Sequence, residues 1–371
     1  MPFYSSKPIG GLKVIYEYAN HLAARGHQVT VVHPRELDKI GTRGIRHQAV
    51  AGLHSCLVRF RRMATEKKHH EPTATPEMKW FPVDSRVKML YVPTPAASNV
   101  PDGDAVFNNR WVVGEYPPEK GIEFHIFQGY GVWPKLQAQE DALFRAPIGK
   151  IVIARWVYEQ GLKLGASPDE MIYIPNGIDH QICRIIELIE RRGKRIVMLY
   201  HEQPIKGAKD GIKALELARS KVPTLEAVLF GVFKRPKWLP GWIEYHHDPP
   251  QETLVGSIYN GGSIYLCPSW LEGFHLPPAE AMACGCAVVS TDIGGVRDYA
   301  EHGVTALLSP PRNPKALAEN LLCLLKDDAL RIELAKAGHE RIQQFTWERS
   351  TDLMEQFITE RVGQKNVLRE G

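Results

Sequence analysis

Short apolar runs alternate with helix-patterned stretches along the whole chain, and they do so in two separate series. The first series of expected strands covers residues 27–33, 87–92, 105–107, 124–127, 150–154 and 171–174. After an interruption the second covers 196–200, 227–231, 243–246, 264–268, 287–290 and 306–308. Strands spaced by helices cannot pair as tight hairpins; they form parallel sheets covered by helices on both faces. Two such series predict an α/β chain of two doubly wound domains. The length of 371 residues fits two domains at about 150 residues each. A hydrophobic content of 44% is enough to fill both cores.

The first expected helix has Ile15, Ala19, Leu22 and Ala23 on one face and stops at Arg25-Gly26. The break between the series follows Pro175-Asn176-Gly177-Ile178-Asp179, where a strand runs into turn chemistry. Residues 180–194 read as charged and helix-like, with a hinge expected near 177–192. In such folds a ligand sits beyond the C-terminal ends of the strands.

Composition removes several alternatives. No apolar run approaches the ~18–20 residues that span a bilayer, and no charged-then-apolar leader pattern opens the chain. Six scattered cysteines read as reduced thiols, which with the missing leader gives a cytoplasmic expectation. Lys and Arg number 46 against 42 Asp and Glu, a net +4. That charge is concentrated: Arg43, Arg46, Arg59, Arg61, Arg62, Lys67 and Lys68 oppose Glu66 alone within residues 43–70. Val50, Leu53, Leu57, Phe60 and Met63 recur there at helical spacing, so this stretch fits either an anionic membrane surface, on the inner face of the cell membrane, or a basic solvent-facing helix. No Gly-x-Gly-x-x-Gly follows a strand and no Gly-Lys-Ser/Thr phosphate loop exists, which counts against a dehydrogenase and an NTPase. No nucleic-acid partner is expected. His69-His70 and His246-His247 lack partners at metal spacing, and Asp102-Gly103-Asp104 reads as a turn, so no metal or cofactor is expected.

The richest segment is 269–285, SWLEGFHLPPAEAMACG, lying between two expected strands. Pro277 suits a first helical turn, Glu280 falls within that turn, and Glu272 precedes it. The helix start offers amides and the positive end of its dipole to a phosphate. A carboxylate on each side accepts hydrogen bonds from hydroxyl groups. A diphosphate flanked by two sugar rings meets that demand.

This segment resembles the donor-binding signature of family 4 glycosyltransferases, with two glutamates seven residues apart within EGFHLPPAE followed by AMACG. Gly10-Gly11, Pro175-Asn176-Gly177-Ile178-Asp179, Lys206-Gly207, Cys267-Pro268-Ser269, Gly294-Gly295 and Phe345-Thr346-Trp347-Glu348 follow in the family's order. The resemblance implies the GT-B fold: two facing Rossmann-like doubly wound domains with a central cleft. It implies an acceptor-side domain over 1–180, a nucleotide-sugar domain over 181–347, and a final helix, 348–371, crossing back. Carried over, Glu272 would hold hydroxyls of the transferred sugar, and Lys206 would neutralise the diphosphate as the glycosidic bond breaks. Phe274, His275 and Leu276 would present amides, and Glu280 would accept from the ribose hydroxyls. Gly10 and Gly11 would let backbone approach the donor closely. Tyr245 and His246, at a strand end, could flank the base; His125 and Gln128 could touch sugar or acceptor. Each has a structural alternative in ordinary packing.

The implied activity is transfer of a hexose, with retention, from a nucleotide-sugar donor to a glycan or lipid-linked glycan in surface or extracellular polysaccharide synthesis. UDP-glucose is favoured because it is a common donor in the family. In the family, retention is explained by same-face attack with the departing phosphate oxygen taking the proton, which needs neither a protein nucleophile nor a metal. The sequence departs from the family at three places. His201 or Glu202 stands where an arginine normally grips the diphosphate, with Arg195 as a possible substitute. His275 replaces a common glycine. Only Met1, Phe3 and Tyr4 are available for a first strand, so the N-terminal sheet is expected to be poorly formed if the numbered start is the natural one. These departures keep open a catalytically weak binding or scaffolding subunit of a membrane polysaccharide complex. A glycan phosphorylase, with the same fold, would need a pyridoxal-phosphate lysine in a much longer chain.

Overall fold

The computed structural model describes Ser5 and residues 7–34, 79–109 and 116–370. The basic stretch 43–70, with the histidine pair His69-His70, and the candidate strand residues Met1, Phe3 and Tyr4 lie outside them. The chain divides into two compact units. Unit 1 holds Met1–Ile151, Gln160–Ile172 and Thr351–Gly371; unit 2 holds Val152–Glu159 and Tyr173–Ser350.

Unit 1 opens with α1 (Gly10–Ala24), followed by β1 (Thr30–Pro34), β2 (Lys88–Val92), β3 (Ala105–Phe107) and β4 (Ile122–Phe127). Then come α2 (Gln137–Arg145), β5 (Gly149–Val152), α3 (Arg155–Lys163), whose residues up to Glu159 belong to unit 2, and β6 (Met171–Tyr173). The described strands fall into two sheets, β1-β2 and β3-β4-β5-β6, and no described strand precedes α1. The core under α1 uses Leu12, Tyr16, Ala19 and Ala23 against Val31, Phe81 and Val87. Ala19 and Ala23 lie on the expected face, but that face is turned toward Leu12 and Tyr16, leaving Ile15 and Leu22 half-buried. Asp102-Gly103-Asp104 leads into β3 without forming a hydrogen-bonded turn of its own: Asp102 pairs with Lys120 at 2.6 Å, and the Asp104 carbonyl accepts from the Ile122 amide.

Unit 2 contains β7 (Arg195–Leu199), α4 (Ala208–Arg219), β8 (Glu226–Gly231), β9 (Ile243–His247), β10 (Ile264–Cys267) and α5 (Leu276–Ala283). It continues through β11 (Ala287–Thr291), β12 (Ala306–Ser309), α6 (Pro314–Lys326) and α7 (Asp328–Ile342). The last helix, α8 (Trp347–Glu370), begins in unit 2 and ends in unit 1. The six strands run in the order β12-β11-β10-β7-β8-β9, every neighbouring pair parallel. The strands spread outward from β7 in one direction and from β10 in the other. The chain therefore switches direction between these two strands, and loops leaving their C-terminal ends diverge and open a crevice. The core is built from Ile196, Met198, Leu229, Leu266, Val289 and Leu321 with their neighbours.

Residues 180–194 do not form the expected helix; one turn of 3-10 helix, Ile189–Arg191, is all they contain. Side chains of unit 2 take the hydrogen bonds a helix would use internally. Asp179 accepts from the Gln181 and Ile182 amides, and Asn260 accepts from the Ile186 amide. The Arg192 guanidinium binds the carbonyls of Glu187, Gly262 and Cys284. A buried arginine engaged this way anchors an extended segment more strongly than the local helical pattern can compete with.

Candidate functional site

The crevice of unit 2 is built from the loops after β7 and β10. After β7 the chain turns through Pro204–Lys206, and Gly207 takes φ 63°, the left-handed region that glycine enters without cost. A Cβ on Gly207 would lie 1.9 Å from the Pro268 carbonyl oxygen, so the two loops touch backbone to backbone. The Trp270 amide donates to the Ile205 carbonyl at 2.7 Å, which fixes their spacing.

This places Lys206 Nζ at 2.8 Å from both oxygens of Glu272. The Lys206 side chain is 24% exposed and that of Glu272 10%. Burial alone would raise the Glu272 pKa, but His275 and Lys206 outweigh it and hold the carboxyl below its ordinary 4.5. His275 lies on the other side of Glu272, its Nε2 3.5 Å from Oε1, and its Nδ1 is 3.2 Å from Cys267 Sγ. Burial opposes the imidazolium, yet Cys267 and Glu272 raise the His275 pKa overall. Lys206, Cys267, Ser269, Tyr265 and His275 line one small pocket.

The loop holding Glu272 is fixed from behind. Trp156 Nε1 donates to the Gly273 carbonyl at 3.0 Å, and the Tyr299 hydroxyl donates to the His275 carbonyl at 3.0 Å. Gly295 packs so closely that a Cβ would meet the Gly273 carbonyl oxygen at 2.2 Å. Phe274 turns its ring into the core beside Tyr299 and Phe345, leaving its backbone for the site. α5 then starts at Leu276 with Pro277 and Pro278 in its first turn. Neither proline carries an N–H, so the amides at this helix start are those of Phe274, His275 and Leu276. Glu280 is half-buried one turn further, with the Tyr259 hydroxyl 3.5 Å from its Oε2.

Other expected residues are placed differently. Arg195 does not replace the absent arginine: it starts β7, at the strand end opposite Lys206, and pairs with Glu244 at 2.6 Å. His201 does follow β7, but burial, then Lys206, pushes its pKa down to about 4, so it is neutral near pH 7. Tyr245 packs against the core and donates its hydroxyl to the Phe233 carbonyl, while His246 pairs with Glu244 at 2.6 Å.

In unit 1, Gly10 and Gly11 head α1, and Gln128 Nε2 donates to the Gly11 carbonyl at 3.0 Å. A Cβ on Gly11 would come within 2.9 Å of Gln128 Oε1, so a side chain there would push the glutamine amide aside. His125 lies inside β4, 6% exposed, its ring 4.4 Å from that of Phe127. Burial pushes its pKa down to about 4. Trp156, Tyr299 and Tyr259 support the site without belonging to any motif in the sequence. Gly294-Gly295 was the nearest signal, and nothing pointed to Trp156 or Tyr259.

Comparison with solved structures defines the class first. The chain superposes on sucrose-phosphate synthase from Thermosynechococcus elongatus with a TM-score of 0.70 at 17% identity, covering 96% of this chain and 94% of that one. Anabaena HepE in complex with UDP-glucose gives 0.66 at 16% identity, covering 97% of both chains. The fold is GT-B. Residues 195–327, which carry the crevice, match the family described as glycosyl transferases group 1. D-inositol 3-phosphate glycosyltransferase of Jonesia denitrificans is 26% identical over 225 residues, 53% of each chain. Phosphatidyl-myo-inositol mannosyltransferase of Mycolicibacterium smegmatis is 25% identical over 243 residues, 62% of this chain and 59% of that one. The matches span little more than half the length of these curated relatives. Among the described residues no helix is long and apolar enough to cross a membrane.

Proposed function

We propose that the chain is a retaining glycosyltransferase that moves a hexose from a nucleoside-diphosphate sugar to a glycan or lipid-linked glycan, in assembly of a surface or extracellular polysaccharide. The observation that carries this reading is the Lys206–Glu272 pair at the mouth of α5, with both 2.8 Å contacts made at the switch point of the sheet. Lys206 and the amides of Phe274 to Leu276 would take the diphosphate, whose leaving oxygen gains charge as the glycosidic bond breaks. Preorganised donors there act on the transition state more than on the ground state. Glu272, released from Lys206, would accept from sugar hydroxyls, and Glu280 from the ribose. In this reading no side chain acts as a nucleophile on the sugar. The proton of the acceptor hydroxyl would pass to the departing phosphate oxygen on the same face, giving retention without a metal.

UDP-glucose is the favoured donor, supported by the UDP-glucose complex of HepE, a neighbour in fold. Unit 1 would carry the acceptor, and the 43–70 stretch would bring the protein to an anionic membrane surface. A second reading, a weakly catalytic binding or scaffolding subunit, is favoured by the place where the family has its arginine, taken here by His201, which is neutral near pH 7, or by Glu202. The test is hydrolysis and transfer assayed with UDP-, GDP-, ADP- and dTDP-sugars, with the product anomer read by proton NMR. Turnover of one donor class with retained configuration, lost in Glu272→Gln, supports the enzyme. A folded protein that binds a donor and never turns it over supports the scaffold instead.

A further inference from the structure

In the Lys206–Glu272 contact two groups that the donor needs are spent on each other. For the diphosphate to bind, the lysine must leave the carboxylate, and Glu272 would then be a buried anion without its nearest cation. The loop cannot swing Glu272 out to water, since Trp156, Tyr299 and Gly295 hold its backbone. Some other group must hold the charge.

His275 is built for that. It is a non-glycine residue at φ 71°, a conformation side chains rarely adopt, so the imidazole is kept at a cost in backbone strain. Its two ring nitrogens address two acceptors, Glu272 Oε1 at 3.5 Å and Cys267 Sγ at 3.2 Å. A carboxylate only accepts, so Nε2 carries the proton that faces Glu272; Nδ1 lies on the Cys267 sulfur, and Cys267 and Glu272 together favour a second proton on the ring. The charged and titratable groups around it are Cys267 from β10, Glu272 from its own loop, Lys206 from the turn after β7 and Tyr299, whose hydroxyl donates to its carbonyl. Its side chain is 5% exposed, so unlike Lys206 it cannot follow the ligand outward.

Resting on the donor-site reading above, we infer that His275 is a positioning residue for Glu272: it keeps the carboxylate ionised and in place while Lys206 is drawn to the donor's diphosphate. Cys267 Sγ is the group that aims the ring.

The experiment is calorimetric titration with UDP, GDP and ADP at pH 7 in two buffers of different ionisation enthalpy, which counts protons taken up on binding. His275→Gly removes the ring where glycine is the least strained residue, and His275→Asn keeps a polar group without a cation. Wild type is expected to take up almost no proton. Each variant is expected to take up roughly half a proton or more, because Glu272 protonates when Lys206 leaves. With the donor identified, kcat is expected to fall about tenfold or more and donor KM to change less than about threefold. Variants that bind with wild-type proton uptake and turn over within threefold overturn the inference, leaving His275 as packing. Absence of binding by the wild-type chain overturns the donor-site reading, and this one with it.

Discussion

Replacing Lys206 with alanine separates what the lysine does for the fold from what it does for the reaction. Lys206 is the one lysine or arginine lining the pocket, since His201 beside it is neutral and Arg195 is committed to Glu244. A charge-assisted hydrogen bond contributes about 1.5–3 kcal/mol, and a lysine reaching both phosphates makes one or two. A loss of ~2–4 kcal/mol of transition-state stabilisation is about 30- to 1000-fold in kcat. The same substitution leaves Glu272, 10% exposed, with only His275 and the Ser269 side chain to hold its charge, which costs roughly 1–3 kcal/mol of stability. The two effects separate in the double variant Lys206→Ala with Glu272→Gln. It removes the buried carboxylate together with its lysine, and His275 without Glu272 can shed its extra proton, so its melting temperature should recover while its turnover stays lost. Steady-state turnover and thermal unfolding on the three proteins make the comparison. A folded Lys206→Ala protein within threefold of wild-type kcat would refute the assignment, and so would a double variant that regains activity along with stability.

Trp156→Phe removes the indole N–H from the Gly273 carbonyl, 3.0 Å away, and should lower stability by ~1 kcal/mol and kcat by more than that loss explains, read by unfolding and kinetics together. Gly295→Ala places a Cβ at 2.2 Å from the Gly273 carbonyl oxygen and should displace the Glu272 loop, with loss of donor binding in calorimetry. Acid should weaken the fold through His125, whose pKa is about 4 in the folded chain against an ordinary 6.5. Below 6.5 the unfolded chain takes up the proton first, so stability falls between pH 6.5 and 4, by as much as ~3 kcal/mol. His125→Phe should flatten that slope in denaturant titrations at pH 5 and 7.

The strand positions were legible because a parallel strand covered on both faces must be apolar throughout, and such runs stand out between helical stretches. β3 was read to the residue, and the other strands to within a few residues. The EGFHLPPAE segment was legible for a different reason: a turn, two carboxylates and prolines at a helix start are local features. Long-range pairing was not legible. Nothing near Arg195 tells that it sits at the far end of β7 beside Glu244, and nothing in residues 180–194 tells that Arg192 and Asn260 will hold them extended. His275 was visible as a departure from glycine, but its partner Cys267 comes from the preceding strand, and only the fold joins them. The supports of the site, Trp156 and Tyr299, act through backbone carbonyls, which leave no mark in the sequence.

The central claim is that the crevice of unit 2 binds a nucleoside-diphosphate sugar between Lys206 and Glu280. Calorimetric titration of the wild-type chain and Glu280→Ala with UDP-, GDP-, ADP- and dTDP-sugars tests it directly. The account predicts that one base class binds, and that the variant binds it more weakly by ~1–3 kcal/mol, about 5- to 150-fold, through loss of the ribose contact. A folded wild-type chain that binds none of them, or a variant that binds as tightly as wild type, would contradict it.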